Sequence, residues 1–558
     1  DAARILSGLH RHHYFTVRLA GTGQKYQYHP LFRDFLLNRA KTRFRATGWA
    51  ALQKEAALLL EQSGQVEEAA ALYGKAGDPE GLVRLMAAHA RELLGQGRNK
   101  TVAEWIAGIP RELAARHPWL LYWNGKCAFP LDMPGARNYF EQAFESFKAS
   151  GDPSGIYLSW AGIVDTLAFE LDEWKRLDDW IAIFEELREK YPSFPSAAVD
   201  LIASSRMLIS LTLRKTDRPE WVQSWFEHVS ALLHEIPSFD IEMDTLFTMS
   251  LNCLWRGEYE RNRILLERAE AEIRHQRPSP FSIIRIRLMR GIHYWVTAQY
   301  EAAVKTLSDG LQVSDESGVH AFDSLLWSFR CAAEIASGKL DRAERSLQSQ
   351  MAALLDGTRT LDLFFYHINA AWHALLRGEA RRAAENMDAI AAKAARMGTP
   401  YYLALWNIGM AQVAFAQGRA REAETCVQTA LRLSLAMKSR VLEWYSLLIS
   451  AYFLLQDGDR EEGLRCLGRA LSLSKRHGYV HLEFYQPSVM QSLCAAALGE
   501  GIEPDHVQRL IRVLRLPAPS MSSAAASCPE DWPYPVLIRT LGPFEIVRDG
   551  EAIRFPRK

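Results

Sequence analysis

Cysteine is scarce: the 558 residues hold seven, at 127, 253, 331, 426, 466, 494 and 528, and no two form a Cys-x-x-Cys. An odd, scattered set excludes a disulfide framework and a thiolate zinc site, and reads as small core residues of a reducing cytosol. Net charge is missing as well, with 66 Lys plus Arg against 66 Asp plus Glu. That balance argues against a chain-wide nucleic-acid surface or a polybasic membrane face. No apolar run reaches the ~18 residues of a spanning helix, and the opening DAARILSGLH lacks the core of a signal peptide. The expected location is cytoplasmic, with no membrane partner. G-x-x-x-x-G-K-[ST], His-Glu-x-x-His and Gly-x-Ser-x-Gly are all absent, so the sequence offers no triphosphate cradle and no catalytic constellation. His10, His12, His13 and His29 cluster near a basic stretch without an acid to orient them, and they read as surface rather than as metal ligands. The expectation is a non-enzyme with no catalytic, cofactor or metal residues of its own.

What the sequence has in quantity is a repeat. Gly257, Gly338, Gly378, Gly418 and Gly458, with Ala298 standing in once, are spaced by 40 or 41 residues or, across Ala298, by the same step taken twice. Seven positions before each stand Ser250, Gly291, Cys331, Ala371, Ala411 and Ala451, and five after come Asn262, Ala303, Ala343, Ala383, Ala423 and Gly463. Large residues alternate with them: Leu254, Trp295, Ile335, Leu375, Phe415 and Leu455 three before, and Leu266, Leu307, Leu347, Met387, Val427 and Leu467 nine after. Small holes facing large knobs are what two antiparallel helices need in order to pack closely. The pattern resembles the tetratricopeptide repeat stretched from about 34 residues to about 40. Such a unit cannot bury its apolar face alone, so its neighbours must stack into a solenoid. The fold class expected is all-α, a tetratricopeptide-like right-handed superhelix of about eleven helical pairs with small winged-helix or β remnants at both ends.

Residues 1–47 carry nine Lys or Arg against two acids. Phe15 to Leu19 and Lys25 to Tyr28 alternate about Gly21-Thr22-Gly23, which predicts a short hairpin before the helix opened by His29-Pro30. YQYHPLFRDFLLNR resembles a junction in large bacterial regulators of the maltotriose-responsive activator type, and LEQSGQVEEAAALYGKAGD, WIAGIPRELAARHPWL and GIEPDHVQRLIRVLRL resemble later segments of the same family. PAPSMSSAAASCPEDWPYP reads as a linker. VLIRTLGPFEIVRDGEAIRF alternates at period two with an Asp549-Gly550 turn, and resembles the first strands of a response-regulator-type winged-helix DNA-binding domain. The expected divisions are 1–47, end of a winged-helix linker domain; 48–235, irregular helical repeats; 236–477, regular 40-residue repeats; 478–516, closing helices; 517–535, linker; and 536–558, first strands of the output domain. The chain is expected to be a segment of a longer protein.

The resemblance implies the effector-sensing region of an ATP-dependent transcriptional regulator. An inducer or regulatory protein would bind the superhelix and control self-association and DNA binding, with ATP or ADP on an upstream module, DNA on the C-terminal domain and hinges at Thr42 to Gly48 and Pro517 to Pro535. The alternative is a protein-interaction scaffold without transcriptional output. By the tetratricopeptide pattern, positions thirteen, six and two before the turn residue face the concave wall. They supply the effector candidates Arg285, Phe365 and Tyr445, then Trp372, Gln412 and Tyr452, then Trp255. Aromatic faces with occasional polar groups suit a sugar, a small aromatic metabolite or a peptide, while core filling accounts for the same residues without a ligand. Tyr401-Tyr402 and Trp444-Tyr445 read as repeat-to-repeat packing.

Overall fold

A computed structural model describes residues 2–18, 26–44, 46–114, 116–129, 131–235, 239–275, 278–354, 359–481, 483–519, 531–534, 536–541, 544–548 and 551–553. Two compact units form, residues 1–94 with 98–124, and residues 95–97 with 125–558.

In the first unit the helix Ala2–Arg11 leads into antiparallel strands β1 (Thr16–Arg18) and β2 (Tyr26–Tyr28), with Thr16 opposite Tyr28. The Gly21-Thr22-Gly23 turn between them lies outside the described residues. Pro30 occupies the first turn of the next helix, Pro30–Arg43, where its missing N–H costs no hydrogen bond. Phe32 on that helix holds the hairpin, its ring 5.7 Å from Phe15 and 5.6 Å from Tyr28. The helices Ala46–Gln62 and Val66–Ala76 then form the first repeat. Its buried Tyr73 donates to Glu61 at 2.7 Å, and Gly81 leaves room for the ring, since a Cβ there would lie 2.5 Å from Tyr73 Cδ1.

Among the described residues, and setting aside the single turn Arg111–Ala114, the helices from Ala46 to His477 make eleven consecutive pairs, the number expected. The fold is all-α and tetratricopeptide-like. The turn residues are as read: Gly257, Gly338, Gly378, Gly418 and Gly458 have φ between 74° and 91°, and Ala298 is held at φ 59° in the same left-handed turn. The knobs and holes also meet in the expected register. A Cβ on Gly291 would fall 2.4 Å from Leu307 Cδ2, and one on Gly463 would fall 2.8 Å from Leu455 Cγ. Ala371, Ala383, Ala411 and Ala423 are fully buried at the equivalent points. Where both small positions are polar they bond to each other, Ser250 Oγ donating to Asn262 Oδ1 at 2.6 Å.

The second unit winds tightly enough that one turn of the solenoid rests on the next. The amide of Leu361 donates to Leu171 O at 2.9 Å, Thr399 Oγ1 to Leu213 O at 3.0 Å and Ser439 Oγ to Trp255 O at 2.7 Å. The side-chain bonds span sequence separations of 186 and 184 residues, more than four repeats. The donors sit at the starts of successive first helices (Thr360–Leu376, Pro400–Ala416, Arg440–Asp457) and the acceptors near the ends of earlier ones. An N-terminal hydroxyl that elsewhere caps its own helix here ties two turns together. Arg214 to the Gly398 carbonyl, and Lys438 with Glu220, add to this seam.

After Gly478 the described residues up to Gln486 form no helix or strand, and helices Pro487–Gly499 and Pro504–Leu514 follow. Strands β3 (Val536–Arg539), β4 (Glu545–Arg548) and β5 (Glu551–Ala552) form an antiparallel sheet in that order, with Val536 opposite Arg548. The Asp549-Gly550 turn and most of the 517–535 stretch lie outside the described residues. No helix among the described residues is long and apolar enough to cross a membrane.

Candidate functional site

Where the two turns of the second unit meet, they leave a cavity of about 110 Å³. The earlier turn lines it with Phe169, Trp174, Phe247 and Trp255, the later turn with Phe365, Tyr401, Tyr402 and Tyr445, and the irregular segment after Gly478 with Glu483. Twelve of the 27 lining residues are aromatic, and Glu483 alone is charged. The rings are locked across the seam. Trp255 stacks on Tyr401 with centroids 4.4 Å apart and planes at 5°, Tyr402 meets Trp255 edge-on at 5.3 Å, and Trp174 stacks on Tyr402 at 5.7 Å.

Glu483 is set apart by its lack of a partner. Burial pushes its carboxyl up to about 8, and among the described residues no hydrogen bond or ion pair stabilises the charged form. It nevertheless keeps part of its surface open. The two observations agree because the open part faces the cavity that Glu483 lines. Its charge is felt by the phenols around it: Tyr401 is raised first by burial and then by Glu483, and Tyr445 by burial, then Tyr259, then Glu483.

Most other buried acids of the second unit are paired. Arg206 bridges Asp165 (Nε to Oδ1, 2.9 Å) and Asp244 (Nη2 to Oδ2, 2.8 Å), and Asp244 also accepts from Arg285. Burial would raise the Asp244 carboxyl, but Arg285 and Arg206 outweigh it and hold the acid below its usual range. Asp165, Arg206, Asp244 and Arg285 stand on four consecutive first helices, Pro153–Phe169, Ala197–Arg214, Phe239–Arg256 and Pro280–Val296. They form a buried rail of alternating charge beside the cavity wall. The Arg285 guanidinium also covers Phe281 and Phe247, 4.6 and 5.1 Å from their centroids.

Of the seven residues singled out from sequence, Trp255, Phe365 and Tyr445 line the cavity. Arg285 belongs to the charged rail. Trp372 and Gln412 hold the irregular segment instead: Trp372 Nε1 donates to Tyr485 O at 2.9 Å, and Gln412 Oε1 accepts from Gln486 Nε2 at 3.1 Å. Part of the inner wall is therefore covered by the chain's own residues. Tyr452 lies away from the cavity, 5.7 Å from the Phe415 ring. Sequence reasoning missed Glu483, which has no position in the repeat. It placed Tyr401 and Tyr402 between neighbouring repeats, whereas Tyr401 packs on Trp255 in the other turn.

Three solved structures are similar in part. One is a Rap protein complexed with Competence and Sporulation Factor, at 11% identity, covering 63% of this chain and 98% of that one with a TM-score of 0.47. A second is aspartyl phosphate phosphatase F from Bacillus subtilis, at 10%, 70% and 97% with 0.41. The third is NprR in complex with its cognate peptide NprX, at 13%, 54% and 84% with 0.37. No curated protein matches the chain. At the N-terminus the family resemblance is borne out, for residues 1–47 match the family model of the MalT winged helix domain.

Proposed function

We propose that this chain is the effector-sensing portion of a bacterial transcriptional regulator, and that the effector lodges in the cavity between the two turns. The observation that carries the reading is the double lining. Residues 168–329 form one wall and residues 361–445 the other, with Glu483 beside them, so an occupant touches both turns at once. A ligand shifts a conformational equilibrium only by its difference in affinity between the states. A molecule held by two turns meets that condition whenever the turns separate or slide, because half its contacts are then lost. The winged-helix match at residues 1–47, just ahead of the array, supports the regulator reading. The family resemblance supplies the remaining parts of the proposal: ATP or ADP on an upstream module, self-association as the response and DNA contact through the domain begun by β3–β5. No reaction is assigned to residues of this chain. The scaffold reading is weaker, since Trp372 and Gln412 are engaged by Tyr485 and Gln486 and do not present an open groove.

The test is sedimentation velocity on the 558-residue chain with and without small-molecule fractions that raise its melting temperature. A change in self-association on binding supports the sensor. Binding with no change in association or in DNA affinity would leave a ligand site without a regulatory role.

A further inference from the structure

The cavity has a chemistry of its own. Its walls are largely aromatic rings, whose π clouds are negative. The stacked Trp255 and Tyr401, with Tyr402, Trp174 and Tyr445, surround a space into which no Lys, Arg or His among the described residues projects. The single charged group there is the Glu483 carboxyl, without an intramolecular cation. Most buried acids of the unit have a partner; Asp240, another that burial raises without an ion pair among the described residues, does not line the cavity. Asp165 and Asp244 have Arg206 and Arg285, Glu334 has Arg330 and Ser346, Asp362 has Arg359, and Glu443 has Arg440. A buried carboxylate is ordinarily paired, and one left without a partner calls for an explanation in function. Aromatic faces and a lone acid around one space are complementary to a positive charge. An anion would face Glu483 and the π clouds together, and a sugar would find few side chains to satisfy its hydroxyls.

The size of the space limits the ligand further. A cavity of about 150 Å³ accommodates benzene, so about 110 Å³ admits a molecule of roughly six heavy atoms or fewer. We propose that the cavity binds a small organic ammonium ion, with its charged nitrogen donating to the Glu483 carboxylate and its alkyl part enclosed by Trp255, Tyr401 and Tyr445. The inference rests on the sensor reading only in taking this cavity as the effector site. A proton balance accompanies binding. The carboxyl, which burial pushes up to about 8 in the empty cavity, is mostly protonated at pH 7 and ionises when the ammonium arrives. About 0.9 proton per ligand is therefore released to the buffer.

The experiment is titration calorimetry on the 558-residue chain at pH 7, in two buffers of different protonation enthalpy. The probes are isobutylammonium and its neutral counterpart 2-methyl-1-propanol, which has the same number of heavy atoms. The ammonium is expected to bind at least about tenfold more tightly than the alcohol, with proton release near the figure above. Glu483→Gln should bring the two probes to parity and abolish the proton release. Glu483→Asp keeps a carboxylate and should retain the preference at lower affinity, which separates a lost charge from a lost fold. Equal binding of ammonium and alcohol to the wild type overturns the inference, as does a preference that survives Glu483→Gln. Failure of both probes to bind also overturns it, but the sensor reading then still stands or falls on the self-association assay.

Discussion

Raising the pH from 6.5 to 8.5 should weaken the second unit by about 2 kcal/mol through Glu483 alone. Its carboxyl titrates at 4.5 when exposed and at about 8 in the folded chain, because burial disfavours the charge. A group raised on folding contributes stability that is complete below 4.5, falls as the pH climbs toward 8, and stays lost above it. The slope between those limits is about 1.36 kcal/mol per pH unit, flattening near 8, and integration over 6.5 to 8.5 gives the stated figure. The other perturbed groups contribute equally to wild type and to a Glu483→Gln variant, so they drop out of the difference between the two. His481, pushed down to about 3 by burial, and His293, down to about 4, remain neutral throughout. The phenols facing Glu483, Tyr259, Tyr401, Tyr402 and Tyr445, are all raised above 10.0. The assay is urea unfolding of wild type and Glu483→Gln at pH 6.5, 7.5 and 8.5. The wild-type free energy should fall with pH relative to the variant. Parallel curves for the two proteins would refute the reasoning, since they would mean that Glu483 has a partner or reaches bulk water.

Other substitutions test the packing. Ala298→Gly should stabilise by about 1 kcal/mol, because φ 59° is unfavourable for an L-residue and free for glycine; a lower melting temperature would count against the strained turn. Ala411→Leu, at a fully buried helix contact, should cost about 1 to 3 kcal/mol, and an unchanged urea midpoint would contradict the repeat register. Asp244→Asn removes the acid shared by Arg206 and Arg285 and should cost about 3 kcal/mol, which chemical denaturation would read. Ser439→Ala deletes the bond to Trp255 O between turns and should cost about 1 kcal/mol, with hydrogen exchange quickening in the flanking helix Arg440–Asp457.

The repeat was legible because its constraints are local. A turn that must enter the left-handed region selects glycine at Gly338, Gly378 and Gly418, and a close helix contact selects Ala371, Ala411 and Ala423 at fixed distances from it. Even Ala298 could be placed, since its neighbours Gly291 and Leu307 keep the register. The winding was not legible. Contacts such as Ser439 with Trp255 join residues 184 apart, a separation set by small rotations accumulated over four repeats and written in no single residue. Phe365 and Tyr445 reached the cavity by their place thirteen residues before the turn, yet the same rule put Arg285 in an ion-pair rail and gave no sign of what filled the wall opposite Trp372. Glu483 lies in the irregular stretch after Gly478, where periodicity has ended and an acid on its own reads as solvent-exposed. Only the fold of the Tyr479–Gln486 segment into the interior turns it into a buried charge.

The most direct measurement is hydrogen exchange at the Leu361 amide, which bonds Leu171 O across the two turns, in the 558-residue chain with the cavity empty and filled by a ligand that raises the melting temperature. An occupant held by both turns should slow exchange at Leu361 while leaving Lys339, whose amide bonds Glu334 O within its own repeat, unchanged. Equal exchange at Leu361 with and without ligand would contradict the coupling of the cavity to the winding of the array.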